Sequence, residues 1–454
     1  MRTRLLCLEP NGTTSISRIA LLTLVAAIGL VPIVNAGAAD VGHSPPKAVR
    51  GATPAFTGTV TDKSTGRPIA NALVSLAYAH PRVGTSPFCP ACYPDCQKRE
   101  QSDKWGRFNI AAPDKALLFT VVVARPGYVP QLFRGVDPMR GRASFALARN
   151  PVRSTDPHFM IQGRVVGADG KPLAGAILEP SGYGEGGEEI WGVDAGIEPM
   201  VITDRDGAFV FYLGKQYDSL FLEVEAPGLA PRVSGWLKRG KAPVTLRMGT
   251  GASLTGTVVE PSGKRLSGVV FEAVPTDETS KVWIGPHCIG TNLNGDFALP
   301  NVVPYTSHTV YVHSEGALAA ANLAVLRRTI STAGDGTTMA LGTFQAVPAA
   351  TLRGRVAMPV SVRLPEGTRV LLVRDETRDA RQVVLAKDGT FNFHGIPPGE
   401  PMTVTIRLKG YHLDKDTLGP DKQYPRRSTV HFTAPAAGVL PTMNLVMEKD
   451  VRKL

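Results

Sequence analysis

The chain has 454 residues, 43% of them hydrophobic, with 47 glycines and 37 prolines and a formal charge of +11. That length exceeds one ordinary domain and points to three or four, and the Gly and Pro content favours many turns and short strands over long helices. The basic residues are scattered, in small clusters such as Lys98-Arg99, Arg327-Arg328 and Arg426-Arg427, with no basic stripe interleaved with aromatics, which argues against a nucleic-acid partner.

The first segment reads as a secretory signal. Arg2, Arg4 and Arg18 precede an apolar run from Ile19 to Val34, broken only by Thr23, Gly29 and Pro32. Val34-Asn35-Ala36 then offers small residues at the cleavage spacing, with Ala36-Gly37-Ala38 as a second candidate. An uncleaved anchor is the alternative, although the run is shorter than a bilayer span needs. Removing residues 1–36 takes away three arginines and Glu9 and leaves +9 on the mature chain. The chain is therefore expected in the periplasm or cell envelope, or secreted. An acidic surface polymer or anionic membrane face suits its charge, beside the plainer reading of a solvated basic surface. Residues 37–52 are small, polar and Pro-containing, a flexible linker.

A repeat begins after the linker. Phe56-x-Gly58-x-Val60 alternates with period two, the pattern of a half-buried strand. A turn at Gly66-Arg67-Pro68 follows, then a strand from Ile69 to Val74. Next comes a signature bend, Asp103-Lys104-Trp105-Gly106-Arg107-Phe108, and a β-branched strand, Phe119 to Val123. Pro126-Gly127-Tyr128 closes the unit, and Phe145-Ala146-Leu147 is its last strand. The same order returns three times. The first strands are Ile161-x-Gly163-x-Val165, Leu254-x-Gly256-x-Val258 and Leu352-x-Gly354-x-Val356. The signature bends are Asp204-Arg205-Asp206-Gly207-Ala208-Phe209, Asn292-Leu293-Asn294-Gly295-Asp296-Phe297 and the shortened Asp388-Gly389-Thr390-Phe391. In each, glycine permits a left-handed backbone, and the Asp or Asn before it bonds its own turn. Asp103, Asp204 and Asn292 are thus read as turn-formers.

The interval of about a hundred residues is that of a whole β-sandwich rather than a solenoid unit. The expected fold is all-β, a tandem array of four sandwiches spanning 53–150, 157–249, 250–346 and 350–454. The fourth has Pro365-Glu366-Gly367 in place of the Gly-x-Pro turn, so a shorter first hairpin is expected there. Ala317 to Arg328 is rich in helix formers, and reads either as a helix or as an alanine-rich strand and loop.

These matched features resemble the carboxypeptidase regulatory-like domain family, whose members have a transthyretin-like (prealbumin-like), seven-stranded β-sandwich. Gly58, Val60, Gly66, Pro68, Ala72, Asp103, Gly106, Phe108 and Pro126-Gly127-Tyr128 carry the resemblance, with their counterparts in later repeats. It covers nearly all of the mature chain. It implies an accessory, adhesive or carbohydrate-binding-like module and no peptidase activity, because in metallocarboxypeptidases catalysis belongs to a separate domain.

Motifs for catalysis are not found. None of the nine histidines stands in a His-x-x-Glu or His-Glu-x-x-His pattern, and neither a nucleophile elbow nor a phosphate loop occurs. The chain is read as a non-enzyme without a cofactor. Three local features remain. Cys89, Cys92 and Cys96 form a stiff loop with Pro90 and Pro94. In an oxidising compartment a disulfide is expected, with Cys288 available to the odd thiol. A metal site using the three thiolates with His80, or with His287-Cys288, is the second reading, and a redox Cys-x-x-Cys the third. The acidic loop from Tyr183 to Trp191, followed by Asp194, is either solvated or a calcium site without EF-hand spacing. Trp191 and Trp283 precede two of the signature bends. They either fill a sandwich edge or stack on sugar rings. Trp105 could cover the glycine of its own bend. The resulting expectation is an exported, non-catalytic binding or scaffold protein whose partner is a polysaccharide or another envelope protein.

Overall fold

The computed structural model describes residues 55–93, 95–150, 156–277, 288–414, 428–435 and 438–450. The signal segment, the linker and Trp283 lie outside them. Among the described residues no helix is long and apolar enough to cross a membrane.

The fold is all-β, a tandem array of four sandwiches. In the first, strand Phe56–Asp62 lies between Arg107–Ile110, antiparallel, and Ala143–Leu147, parallel. The facing sheet runs Arg99–Gln101, Leu73–Pro81, Leu117–Ala124, Gln131–Val136. The plan then repeats. Met160–Gly167, Ala252–Val259 and Ala350–Ala357 each occupy the place of Phe56–Asp62, with an antiparallel neighbour from the signature bend and a parallel neighbour from the end of the unit. The facing sheets are built on the antiparallel pairs Ile177–Glu185 with Ser219–Glu225, Val270–Pro275 with Ser307–Val312, and Arg369–Arg374 with Pro401–Ile406.

The repeated sequence has a repeated geometry. Gly106, Gly207, Gly295 and Gly389 have φ of 73°, 70°, 73° and 82°, the region where a side chain is strained. The Oδ1 of Asp103, Asp204 and Asn292 accepts two backbone N–H bonds of its own bend at 2.8–3.0 Å. The glycine carbonyl then accepts the backbone N–H of the valine two positions after the glycine of the paired strand, as in Val60 to Gly106 and Val165 to Gly207. The Phe two positions after each bend lies in register with the glycine of the first strand: Gly58 with Phe108, Gly163 with Phe209, Gly256 with Phe297, Gly354 with Phe391. A Cβ on any of these strand glycines would run into that ring. The Gly-x-Val alternation therefore marks where an aromatic crosses the strand.

Each sandwich has its own apolar cluster, but the sandwiches are not independent. Leu73, Val122 and Ala124 of the first meet Ile177 and Met200 of the second. Asn301 of the third donates to the Gly228 carbonyl of the second at 2.9 Å. Ser314 of the third donates to Asp379 of the fourth at 2.7 Å. Leu371 and Ala380 of the fourth join the core of the first, and Arg369 donates to the Val83 carbonyl at 2.9 Å. The four units thus close into a ring in which the last touches the first.

One expectation is corrected, and the reading left open at 317–328 divides between its two alternatives. The fourth unit's first connection is not shorter: it spans 358–368 against 63–72 in the first, with a turn in which Thr368 donates to the Pro365 carbonyl at 3.3 Å. The helix is a single short element, Gly316–Ala320, followed by strands Leu323–Ala324 and Arg328–Ser331. Its Glu315 cap makes no side-chain bond, Asn322 is left-handed (φ 50°), and so short a helix lacks the length to persist.

Candidate functional site

The second sandwich carries a row of aromatic rings across its facing sheet. Hairpin strand Glu188–Trp191 sets Trp191 opposite Gly182; Gly182 is opposite Phe221, and Phe221 opposite Trp236. Leu220 and Leu222 enter the core, so Phe221 between them faces outward. Trp236 joins this row because of an irregularity in its strand. Gly235 is left-handed (φ 69°), and Ser234 Oγ accepts the Leu222 N–H at 2.9 Å, which shifts the register between Phe221 and Glu223.

The ring centroids are 4.9 Å apart for Trp191 and Phe221, 5.3 Å for Phe221 and Trp236, and 5.4 Å for Trp191 and Trp236. Interplanar angles are 54–67°, so the rings form an inclined cleft rather than a flat stack. Gly182 is required in the middle, because a Cβ there would strike the Trp236 ring. Phe221 is buried, Trp236 half-buried and Trp191 59% exposed. An open indole face on a rigid aromatic base can stack against the C–H face of a sugar ring.

Polar groups flank the row. By register, Glu189, Gly184, Ser219 and Lys238 form the next line on the same face. On the other side stand Glu179 and Glu223, both buried. Further along, Glu225 ion-pairs with Arg99 of the first sandwich, and burial pushes its carboxyl pKa up. The acidic loop does not gather its carboxylates. Glu185 pairs with Lys215 at 2.7 Å, and Asp194 accepts from Tyr217 Oη at 2.5 Å and Gly196 N at 2.9 Å.

Of the metal-site candidates, Cys89 and Cys92 are joined in a disulfide. Cys96 and Cys288 are thiols, both buried, and are not bonded to each other. Cys96 Sγ lies 3.4 Å from the Pro90 carbonyl inside the same loop. Cys288 is opposite Glu272 in the third sandwich. His80 is exposed, opposite Leu118, and His287 lies outside the described residues. Among the described residues no three His, Cys, Asp or Glu side chains are grouped to hold a metal ion. The cysteine loop packs instead at the seam with the fourth sandwich, where Phe88, Cys92 and Tyr93 share a cluster with Leu371 and Ala380. Trp105 does not bury its bend; it is 53% exposed, between Lys104 and Arg107.

Sequence reading singled out neither Phe221 and Trp236 nor the polar seam between the third and fourth sandwiches. There Glu272 accepts from Tyr311 Oη at 2.6 Å, contacts His313 Nε2 at 2.8 Å and meets Arg378 at 3.1 Å. Burial opposes charge on His313, but Glu272 and then Asp379 outweigh it and hold the pKa at about 9. These groups are spent on one another and join two units. A glutamate between apolar residues in Val270–Pro275 is the only trace of this in the sequence.

No family model and no curated protein matches the chain. Among solved structures it is similar to the Bacillus anthracis TIE protein, at 9% identity over 89% of this chain and 76% of that one, with a TM-score of 0.19. It is similar to a streptococcal ancillary pilin, at 11% identity over 64% of this chain and 100% of that one (TM-score 0.21). It is also similar to BcpA, the major pilin subunit of Bacillus cereus, at 10% identity over 65% of this chain and 99% of that one (TM-score 0.19). Likenesses at these TM-scores carry no argument about function.

Proposed function

We propose that this is an exported, non-catalytic binding protein of the cell envelope, built from four carboxypeptidase-regulatory-like sandwiches, and that it binds polysaccharide through Trp191. The observation that carries this reading is the row Trp191, Gly182, Phe221, Trp236. A glycine kept clear beneath one indole, and a second indole left mostly exposed, make an apolar cleft on an otherwise polar sheet face. Export rests on the N-terminal segment, and the positive charge suits an acidic envelope polymer. Binding to a glycan array by the mature protein, lost on Trp191→Ala with the fold intact by circular dichroism, tests the reading. Absence of binding to every glycan would remove it.

A second reading, a spacer or protein-interaction scaffold, is favoured by the ring closure, which fixes four outer faces relative to one another. Crosslinking in intact envelopes separates the two. A scaffold gives a defined protein adduct that competing saccharide does not reduce.

A further inference from the structure

At two of the seams between sandwiches a buried or half-buried arginine faces a carboxylate: Arg99 with Glu225 between the first and second, and both Arg374 with Glu400 and Arg378 with Glu272 between the third and fourth. The junction of the second and third sandwiches differs. A groove of about 440 Å³ lies there, walled by Pro231, Met248, Val303 and Pro304 and reached by Arg232, Arg247 and Asp335. Arg232 opens the edge strand Arg232–Lys238 and is half-buried. Its Nη1 donates to the Arg247 carbonyl and its Nε to the Val233 carbonyl. Arg247 Nη1 donates to the carbonyls of Ala168 at 2.7 Å and Gly167 at 3.3 Å. Every one of these acceptors is neutral, and among the described residues neither arginine pairs with a carboxylate. Desolvation lowers the Arg232 pKa with no neighbouring anion to offset it.

A partly desolvated guanidinium without a counter-charge is unfavourable, and its planar fork matches a carboxylate. The apolar walls suit the C–H surface of a pyranose. We infer that this groove takes the carboxylate of an acidic saccharide, held by Arg232 and Arg247 against the apolar wall. This rests on the polysaccharide reading above and names the class of sugar. Among the described residues Asp335 is the one carboxylate lining the groove, where its Oδ1 accepts the Gly251 N–H. Its charge opposes the ligand's and restricts where the sugar's carboxylate can sit.

Titration calorimetry on the mature chain tests this with trigalacturonate, its carboxyl-reduced neutral counterpart and a short polyglutamate peptide. The uronate is expected to bind at least about tenfold more tightly than the reduced sugar. Arg232→Gln and, independently, the exposed Arg247→Gln each lower uronate affinity several-fold and leave the neutral sugar unaffected, while Asp335→Asn raises uronate affinity. Uronate binding unchanged in both arginine variants overturns the groove assignment, even where Trp191→Ala abolishes binding of neutral sugar. Polyglutamate bound as tightly as the uronate, through the same arginines, overturns the saccharide assignment. Failure of every saccharide to bind the unmodified chain removes both this inference and the reading beneath it.

Discussion

Arg378 of the fourth sandwich places Nη1 3.1 Å from Glu272 Oε1 of the third, with both side chains almost wholly buried. Desolvating both charges is costly, so the pair itself adds little net stability, but removing one partner strands the other. Arg378→Ala is expected to destabilise the protein by about 3–5 kcal/mol. The double change Glu272→Gln with Arg378→Met should recover only part of that loss, because it also removes the carboxylate that faces His313. Urea unfolding of the three proteins checks both statements.

His313 and His308 should give stability a maximum near neutral pH. His313 is held up at about 9 in the folded state, against 6.5 ordinarily. Its contribution is full below the unfolded value and is lost as pH rises through the folded one. His308 runs the other way. Burial pushes it down to about 4, partly offset by the Thr306 carbonyl, so stability is lost as pH falls from 6.5 towards 4. Thermal melts across pH 4–9.5 should therefore peak near 6.5. His313→Gln should flatten the alkaline limb alone.

The signature bends make a sharper distinction than glycine content does. A Cβ at Gly207 would run into the Val165 carbonyl, whereas at Gly228, also left-handed (φ 73°), nothing lies within 4 Å. Gly228→Ala should cost about 1 kcal/mol from backbone strain alone. Gly207→Ala should cost about 3 kcal/mol, since the strand must also shift. Denaturant midpoints of the two variants decide this.

The Cys89–Cys92 link closes a very short loop, so its removal should lower global stability by only about 2 kcal/mol. Its local effect should be larger. In the Cys89→Ala, Cys92→Ala protein, hydrogen exchange should rise in 85–97 and in strands Arg369–Arg374 and Ala380–Val384 across the seam. The core of the second sandwich should stay protected.

The parts of this fold governed by local chemistry were readable from the chain. Gly58, Val60, Gly106 and Phe108 announce one strand, one bend and the ring that crosses them, because each answers to backbone conformation or period-two burial. The seams were not readable in the same way. Val122 and Leu371 lie on outer faces, and only the partner sandwich makes those faces interior. The unbroken apolar run from Val121 to Ala124 was the available sign of burial on both sides. The aromatic row was half legible. Trp191 stood out as a tryptophan near a loop, but Trp236 reaches the same face only through the shift at Gly235, which parity counting does not foresee.

Leu371 and Ala380 complete the first sandwich's interior from more than two hundred residues downstream. As the chain emerges from synthesis or a translocation channel, the N-terminal unit can form its sheets at once, yet one side of it stays bare until the final quarter arrives. A chain stopped before Ala350 would carry three formed units and an uncovered oily scar around Phe88 and Tyr93. Such a product invites self-association and proteolysis rather than service as a smaller version of the whole.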